Sequence, residues 1–147
     1  MSLKEKLMED LKDSMKSKDT IKKNTITMVR AAIKQKEVDE RIEVSEEAIL
    51  DIISKQLKEK RMAIEEFKKG QRQDLVELTE KEIEILLQYL PKQLSEEEVE
   101  EIVIETIKEI NATSMKDIGI IMKAVMPKVK GRTDGNIVNK IIKKVFN

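Results

Sequence analysis

Residues 95–110 read SEEEVEEIVIETIKEI and contain the clearest helix start in the chain. Ser95 with a glutamate at position 98 forms the pattern of a capping box, in which each side chain accepts the backbone N–H of the other residue. The three glutamates of the first turn match the positive end of the helix dipole. Apolar residues then recur at intervals of one, three and four, which predicts an amphipathic helix. They are Val99, Ile102, Val103, Ile107 and Ile110.

Helical spacing of apolar residues continues upstream of this segment, and no stretch alternates for long in the manner of a β-strand. It predicts four helices, of which the third runs from Ser45 to a stop at Gly70. The fourth is predicted to be capped by Asp74 and to end before Pro91. The predicted inward face of the first helix carries Leu3, Leu7, Met8, Leu11 and Met15.

Two more helices are predicted downstream. Ser114 with Asp117 resembles a second capping box and predicts the start of the sixth helix, which Pro127 should kink or end. Asp134 is predicted to cap the seventh. Seven helices without a strand indicate an all-α protein.

The connector at residues 91–94 is the predicted domain boundary. It separates an N-terminal part of four helices, residues 1–91, from a C-terminal part of three helices, residues 95–147. We expect this connector to be the first site of limited proteolysis if the two parts move independently.

The composition excludes several kinds of chemistry. The 147 residues include no Cys and no His, which rules out disulfides, thiol nucleophiles, Cys/His zinc sites and imidazole bases. Four glycines cannot supply a P-loop or a dinucleotide fingerprint, and one Tyr with two Phe offers no stacking platform for single-stranded nucleic acid. A binding or scaffold protein therefore fits better than a self-sufficient enzyme, and we expect no catalytic residue, cofactor or metal.

The chain gives no sign of a membrane or secretory segment. Its apolar runs extend over only a few residues, whereas a membrane span needs about 20. The first residues are already charged at Lys4 to Lys6 and lack the apolar stretch of a signal peptide. We therefore expect no membrane partner and a cytosolic location.

Charge is distributed unevenly although the net charge is zero. Residues 37–111 carry 11 Lys or Arg against 22 Asp or Glu, whereas residues 112–147 carry eight against two. A basic C-terminal segment on an otherwise acidic chain indicates a local electrostatic role.

The basic segment contains a candidate phosphate-binding surface around MPKVKGRTDG, residues 126–135. Three cations at alternate positions precede a helix whose first amides lack intrahelical partners, and both features favour phosphate. Two interpretations stay open, contact with a nucleic-acid backbone and a solvated basic face. The candidate residues are Lys123, Lys128, Lys130, Arg132, Lys140 and Lys144.

Two other charged runs favour plainer interpretations. The basic and acidic residues between Lys55 and Arg72 have helical spacing and predict ion pairs along a solvated helix face. The acidic residues between Glu77 and Glu101 lack the fixed loop that a hard metal ion would need.

Several motifs of the chain resemble those of the YqeY proteins. They are RMAIEEF at residues 61–67, RQDL at 72–75, YLPKQLSEEE at 89–98, DIG at 117–119 and MPKVKGRTDG at 126–135. The resemblance covers essentially the whole chain, and residues 95–147 are also similar to the tail domain of the B subunit (GatB) of the glutamine-dependent tRNA amidotransferase. The motif residues of that segment are Gly119, Pro127, Gly131, Asp134, Gly135 and Asn139.

The two central glycines of this motif are expected to be structural. Gly119 should allow close helix packing, and Gly131 should form a left-handed turn between the last two helices. The chain departs from the family at two positions, Thr27, where an arginine is usual, and Gln73, where an acidic residue is usual. No role of that arginine carries over.

The resemblance implies an accessory role. In the amidotransferase the tail domain contacts tRNA, while glutamine hydrolysis and ATP-dependent activation occur in domains that this chain lacks. The resemblance thus implies a protein related to a carbon–nitrogen ligase that uses glutamine as amide donor. Its implied partners are tRNA and either the tRNA amidotransferase or an aminoacyl-tRNA synthetase. The alternative is a helical protein–protein interaction module with no nucleic-acid role.

Overall fold

The computed structural model describes all 147 residues and consists of seven α-helices, one short 3₁₀ turn and no strand. The all-α prediction is thereby confirmed. The helices are α1 Leu3–Lys16, α2 Thr20–Glu40, α3 Glu46–Lys69, α4 Gln73–Leu87, α5 Glu96–Ile110, α6 Ile118–Val129 and α7 Gly135–Val145. The chain divides into two compact units, Met1–Leu90 and Pro91–Asn147. No helix is both long and apolar enough to cross a bilayer.

Side-chain caps begin several helices at the predicted residues. Ser45 accepts the N–H of Ala48 at the start of α3. Ser95 and Glu98 form both hydrogen bonds of the capping box at the start of α5. Asp134 accepts the N–H of Asn136 at 2.7 Å and caps α7. These bonds satisfy amides that have no partner inside the helix.

The start of α4 differs from the prediction. The N-cap is Arg72, and Asp74 lies inside the first turn. The Arg72 guanidinium donates to both carboxylate oxygens of Asp74, at 3.1 and 3.0 Å. The Asp74 side chain is therefore engaged by a neighbouring cation, and the helix starts at Gln73 without a side-chain cap.

The start of α6 also differs from the prediction, and the helix does not end at Pro127. Ser114 caps the 3₁₀ turn Met115–Asp117, and α6 itself begins only at Ile118. Pro127 lies inside α6, which continues to Val129. A proline removes one backbone donor, but Val129 is completely buried, and its packing holds the last turn in place.

The core of the Met1–Leu90 unit is formed by residues from all four of its helices and the segments that follow α2 and α4. They include Leu7, Leu11, Ile26, Val29, Ile33, Ile49, Ile53, Leu57, Leu86 and Tyr89. The prediction that Met8 and Met15 face inward is wrong, because these side chains are 38% and 52% exposed. They lie seven residues apart on the edge of the apolar stripe of α1, and only the centre of that stripe is covered.

Tyr89 closes this core and is the only tyrosine of the chain. Its hydroxyl donates a hydrogen bond to Asp10, and Lys6 Nζ lies 5.5 Å from the centroid of its ring. Burial raises the pKa of the phenol well above its ordinary value, and the hydrogen bond and the charge of Asp10 raise it further. Ionisation would place two anions side by side at the edge of the core.

We expect Tyr89 to ionise only when the unit unfolds. Because its folded pKa exceeds the unfolded value of about 10, its contribution to stability is complete below that pH and is lost as the pH rises further. A near-ultraviolet absorbance titration measures this residue directly, since the chain contains no tryptophan. The Asp10→Asn variant should ionise at a lower pH than the wild type. Ionisation of the folded wild type near pH 10 would contradict the assignment.

The core of the Pro91–Asn147 unit lies between α5, α6 and α7. Its buried residues are Val99, Val103, Ile121, Val125, Val129, Val138, Ile141 and Ile142. Three of these come from α7, where they occupy one half of the helix surface. The other half of α7 consequently faces solvent and positions the polar residues considered next.

Candidate nucleic-acid interface

Lys128 lies in the last turn of α6 and is held by α5. Its Nζ donates to Thr106 Oγ1 at 2.9 Å and to Glu109 Oε2 at 2.8 Å. Thr106 is completely buried, and its hydroxyl donates to the carbonyl of Ile102 at 2.7 Å. Lys128 therefore connects two helices, and Glu109 compensates its charge.

Arg132 is engaged by the connector that precedes α5. Its Nε donates to the carbonyl of Lys92 at 3.1 Å, and its own carbonyl accepts the N–H of Leu94 at 2.8 Å. The carbonyl of Gly131 accepts Gln93 Nε2 at 2.7 Å. The loop between α6 and α7 thus holds residues 92–94. The φ of Gly131 is 73°, which confirms the predicted left-handed turn.

The carboxylate of Glu98 adds negative charge near this loop. The backbone N–H of Ser95 holds the pKa of Glu98 below its ordinary range, and the Ser95 hydroxyl, Lys92 and Arg132 lower it further. A carboxylate that remains ionised near Arg132 weakens the positive field of the loop.

The polar half of α7 carries three exposed lysines. Lys140 and Lys143 are exposed and form no ion pair. Lys144 lies 3.5 Å from Glu100, but its side chain is 73% exposed, and such a pair is worth only about 0 to 1 kcal/mol. We refer to this surface as the α7 polar face. Its residues line a shallow depression and are Asn136, Asn139, Lys140, Lys143, Lys144 and Asn147.

The remaining predicted cations flank the loop and are exposed. Lys123 lies on α6, and Lys130 is the C-cap residue that follows the last residue of α6. The structure thus places Lys140 and Lys144 on one surface. Lys128 and Arg132 instead form hydrogen bonds to other parts of the unit, to α5 and to the connector. Lys143 was not among the predicted residues. Its spacing of three residues from Lys140 and one from Lys144 places it on the same side of a helix, so the sequence contained this signal.

The motif glycines of this unit have different environments. A Cβ added at Gly119 would meet nothing within 4 Å, so the prediction that this glycine allows close helix packing is wrong for this unit. Gly119 lies in the exposed first turn of α6, away from the buried residues. A Cβ at Gly135 would lie 3.8 Å from the Met126 methyl carbon, which is ordinary contact.

The profile of the Yqey-like protein family matches residues 4–146. The chain belongs to this family. The match extends over both compact units, so the two units are parts of one family pattern.

Curated relatives of this Yqey-like chain are fungal proteins named altered inheritance of mitochondria protein 41, mitochondrial. The protein of Pyrenophora tritici-repentis is 31% identical over 144 residues, which cover 95% of this chain and 78% of the relative. That of Kluyveromyces lactis is 35% identical over 131 residues, covering 86% and 69%. That of Lachancea thermotolerans is 44% identical over 85 residues, covering 57% of this chain and less than half, 46%, of the relative.

The names of these relatives contradict the expected cytosolic location. Each is named as a mitochondrial protein. The expectation rested on the lack of an apolar signal-peptide stretch. That feature does not separate the cytosol from mitochondria, because mitochondrial transit peptides are amphipathic and rich in arginine.

Replacing Arg132 with alanine should loosen residues 92–94. We expect trypsin to cleave after Lys92 about three to ten times faster than in the wild type, because a side-chain hydrogen bond worth about 0.5 to 1.5 kcal/mol is lost. Limited proteolysis read by mass spectrometry measures this rate. Lys140→Ala, which removes an exposed cation from α7, should leave it unchanged. Equal cleavage of the wild type and Arg132→Ala would show that Arg132 does not order the connector.

Proposed function

We propose that this Yqey-like protein is a tRNA-binding accessory protein related to tRNA-dependent amidation, and that it contacts the RNA backbone through the α7 polar face. The observation that supports this most is the set of three lysines and two asparagines on one face of α7, with Asn147 directly after the helix. Two of the lysines have no anionic partner in the protein. In this proposal the three-helix unit is the counterpart of the amidotransferase tail domain.

The chemistry of the α7 polar face suits phosphates better than bases. Lysine ammonium groups attract phosphate as point charges, and asparagine side chains can hydrogen-bond phosphate oxygens and ribose hydroxyls. The Pro91–Asn147 unit has one aromatic residue, Phe146, which is half-buried, so stacking on exposed bases has no platform. We therefore propose recognition of the double-helical arms of tRNA by shape and backbone charge.

The other predicted cations have two roles in this proposal. Lys123 and Lys130 would extend the positive surface beside α7. Lys128 and Arg132 would support it, because their hydrogen bonds hold α6 against α5 and the loop against the connector. Lys144 can leave Glu100 for a phosphate at small cost, since the pair is exposed.

An accessory role is proposed because the resemblance to the amidotransferase extends only to its tail domain, whereas glutamine hydrolysis and ATP-dependent activation occur in its other domains. The chain also contains no cysteine or histidine, so a thiol nucleophile and an imidazole base would have to come from a partner. Glutamine hydrolysis and activation would then be supplied by the tRNA amidotransferase as protein partner, or the bound tRNA would be passed from an aminoacyl-tRNA synthetase.

The triple variant Lys140→Ala, Lys143→Ala, Lys144→Ala should bind tRNA with a weaker dependence on salt. Each phosphate contact releases counterions and contributes about 0.7 to 0.9 to the log–log slope, so the slope should fall by about two to three units. Fluorescence anisotropy with a labelled tRNA transcript at several salt concentrations measures the slope. The matched control is Lys55→Ala, Arg61→Ala, Lys81→Ala, which removes the same charge from exposed positions in the Met1–Leu90 unit.

Three outcomes would contradict this assignment. An equal decrease of the salt slope in the α7 variant and in the control variant would indicate diffuse electrostatic attraction. If the variant Lys128→Ala, Lys130→Ala, Arg132→Ala lowered the salt slope more than the α7 variant does, the RNA would bind at the loop between α6 and α7. If the wild type bound no tRNA at low salt, the RNA-binding proposal would be wrong.

A further inference from the structure

A second surface lies within the Met1–Leu90 unit, between α1 and α2. The two helices run antiparallel, because residues 17–19 join them and Lys4, near the start of α1, donates to Glu37, near the end of α2, at 2.6 Å. A groove of about 630 Å³ lies between them. Its lining includes Leu7, Met8, Thr27, Arg30, Ala31 and Lys34.

The α1–α2 groove is partly apolar and partly open to solvent. Leu7 is buried at its base, while Met8 on α1 is 38% exposed and Ala31 on α2 is exposed. Met15 lies seven residues, or two turns, after Met8 on the same edge of α1 and is 52% exposed. Unbranched methionine side chains adapt to the shape of a partner, and exposed apolar patches mark interaction surfaces.

The charge of the α1–α2 groove is positive. Arg30 and Lys34 lie one turn apart on α2 and form no ion pair. Glu37 is the only carboxylate in the lining, and it is already engaged by Lys4 Nζ at 2.6 Å and by the N–H of Val44 at 3.0 Å. These hydrogen bonds hold the pKa of Glu37 below its ordinary range, so the carboxylate is ionised but compensated. Two cations are left without a counter-charge.

We propose that the α1–α2 groove binds an amphipathic α-helix of a partner protein whose apolar face is bordered by acidic residues. The apolar face would lie on Met8 and Ala31, and carboxylates would pair with Arg30 and Lys34. The lining on α2 extends from Thr27 to Glu37, about 15 Å or three helical turns, which fits about 10 to 12 residues of a partner helix. Charge complementarity selects an acidic helix over a basic one.

The first test uses a synthetic peptide of about 14 residues that carries leucine on one helical face and glutamate on the other. Anisotropy of the labelled peptide should show binding to the full chain. The variant Arg30→Glu, Lys34→Glu should bind at least about tenfold more weakly. The matched control, Arg61→Glu with Lys55→Glu on α3, changes the charge equally at exposed positions and should bind as the wild type does. A peptide with lysine in place of glutamate should bind at least about tenfold more weakly to the wild type.

The second test does not depend on the folding of any variant. In wild-type protein labelled at the methionine methyl groups, the acidic peptide should shift the NMR signal of Met8. Met62 is 61% exposed on α3, outside the groove, and its signal should stay in place. The Met8→Ser variant should lack one methionine signal, which assigns that signal to Met8. It should also bind the peptide several-fold more weakly, because the apolar contact with Met8 is lost.

Several results would overturn this proposal. They are equal binding of the acidic and basic peptides, equal shifts of Met8 and Met62, or an equal loss of affinity in the control variant. A shift of Met8 by labelled tRNA, but not by the peptide, would make the groove an RNA surface instead. The groove variants should leave the salt dependence of tRNA binding unchanged, so this proposal and the proposed function can fail independently.

Discussion

Burial of the apolar half of α7 is the constraint on which the candidate interface depends. Val138 and Ile142 are fully buried, and Ile141 lies between them. A helix with 3.6 residues per turn then has no freedom in where Lys140 and Lys143 point. The hydrogen bonds of Lys128 to Thr106 and Glu109 hold α6 against α5. These two helices supply the rest of the core on which α7 packs. Packing thus decides which cations face solvent.

Much of the fold could be predicted because helix signals are local. The capping box of Ser95 and Glu98, the cap at Asp134 and the left-handed turn at Gly131 each follow from a few adjacent residues. The errors arose where a second local partner or packing intervened. Arg72 binds the side chain of Asp74, so Asp74 does not cap α4 as predicted. Periodicity also marked a wider stripe of α1 as buried than the core covers.

The candidate site could be predicted less well because its electrostatics depend on contacts between distant residues. Lys128 meets Glu109, 19 positions away, and Arg132 meets Lys92, 40 positions away. Nothing in the loop sequence distinguishes these cations from Lys140, which has no such partner. Helical spacing alone would have added Lys143, since it lies on the same half of α7 as Lys140 and Lys144. A count of cations therefore indicates a basic surface but not its centre.

The two proposed surfaces differ in the physical chemistry of what they can bind. The α7 polar face carries hydrated ammonium groups and amides with no apolar residue among them, so a partner there keeps much of its water, as a phosphate backbone does. The α1–α2 groove combines an exposed methionine with an arginine, whose guanidinium is weakly hydrated and tolerates desolvation. An amphipathic protein helix could bury its apolar face against the methionine and pair a carboxylate with the arginine. The two proposals therefore assign partners of different chemistry to the two units, a phosphate backbone to one and an acidic protein helix to the other.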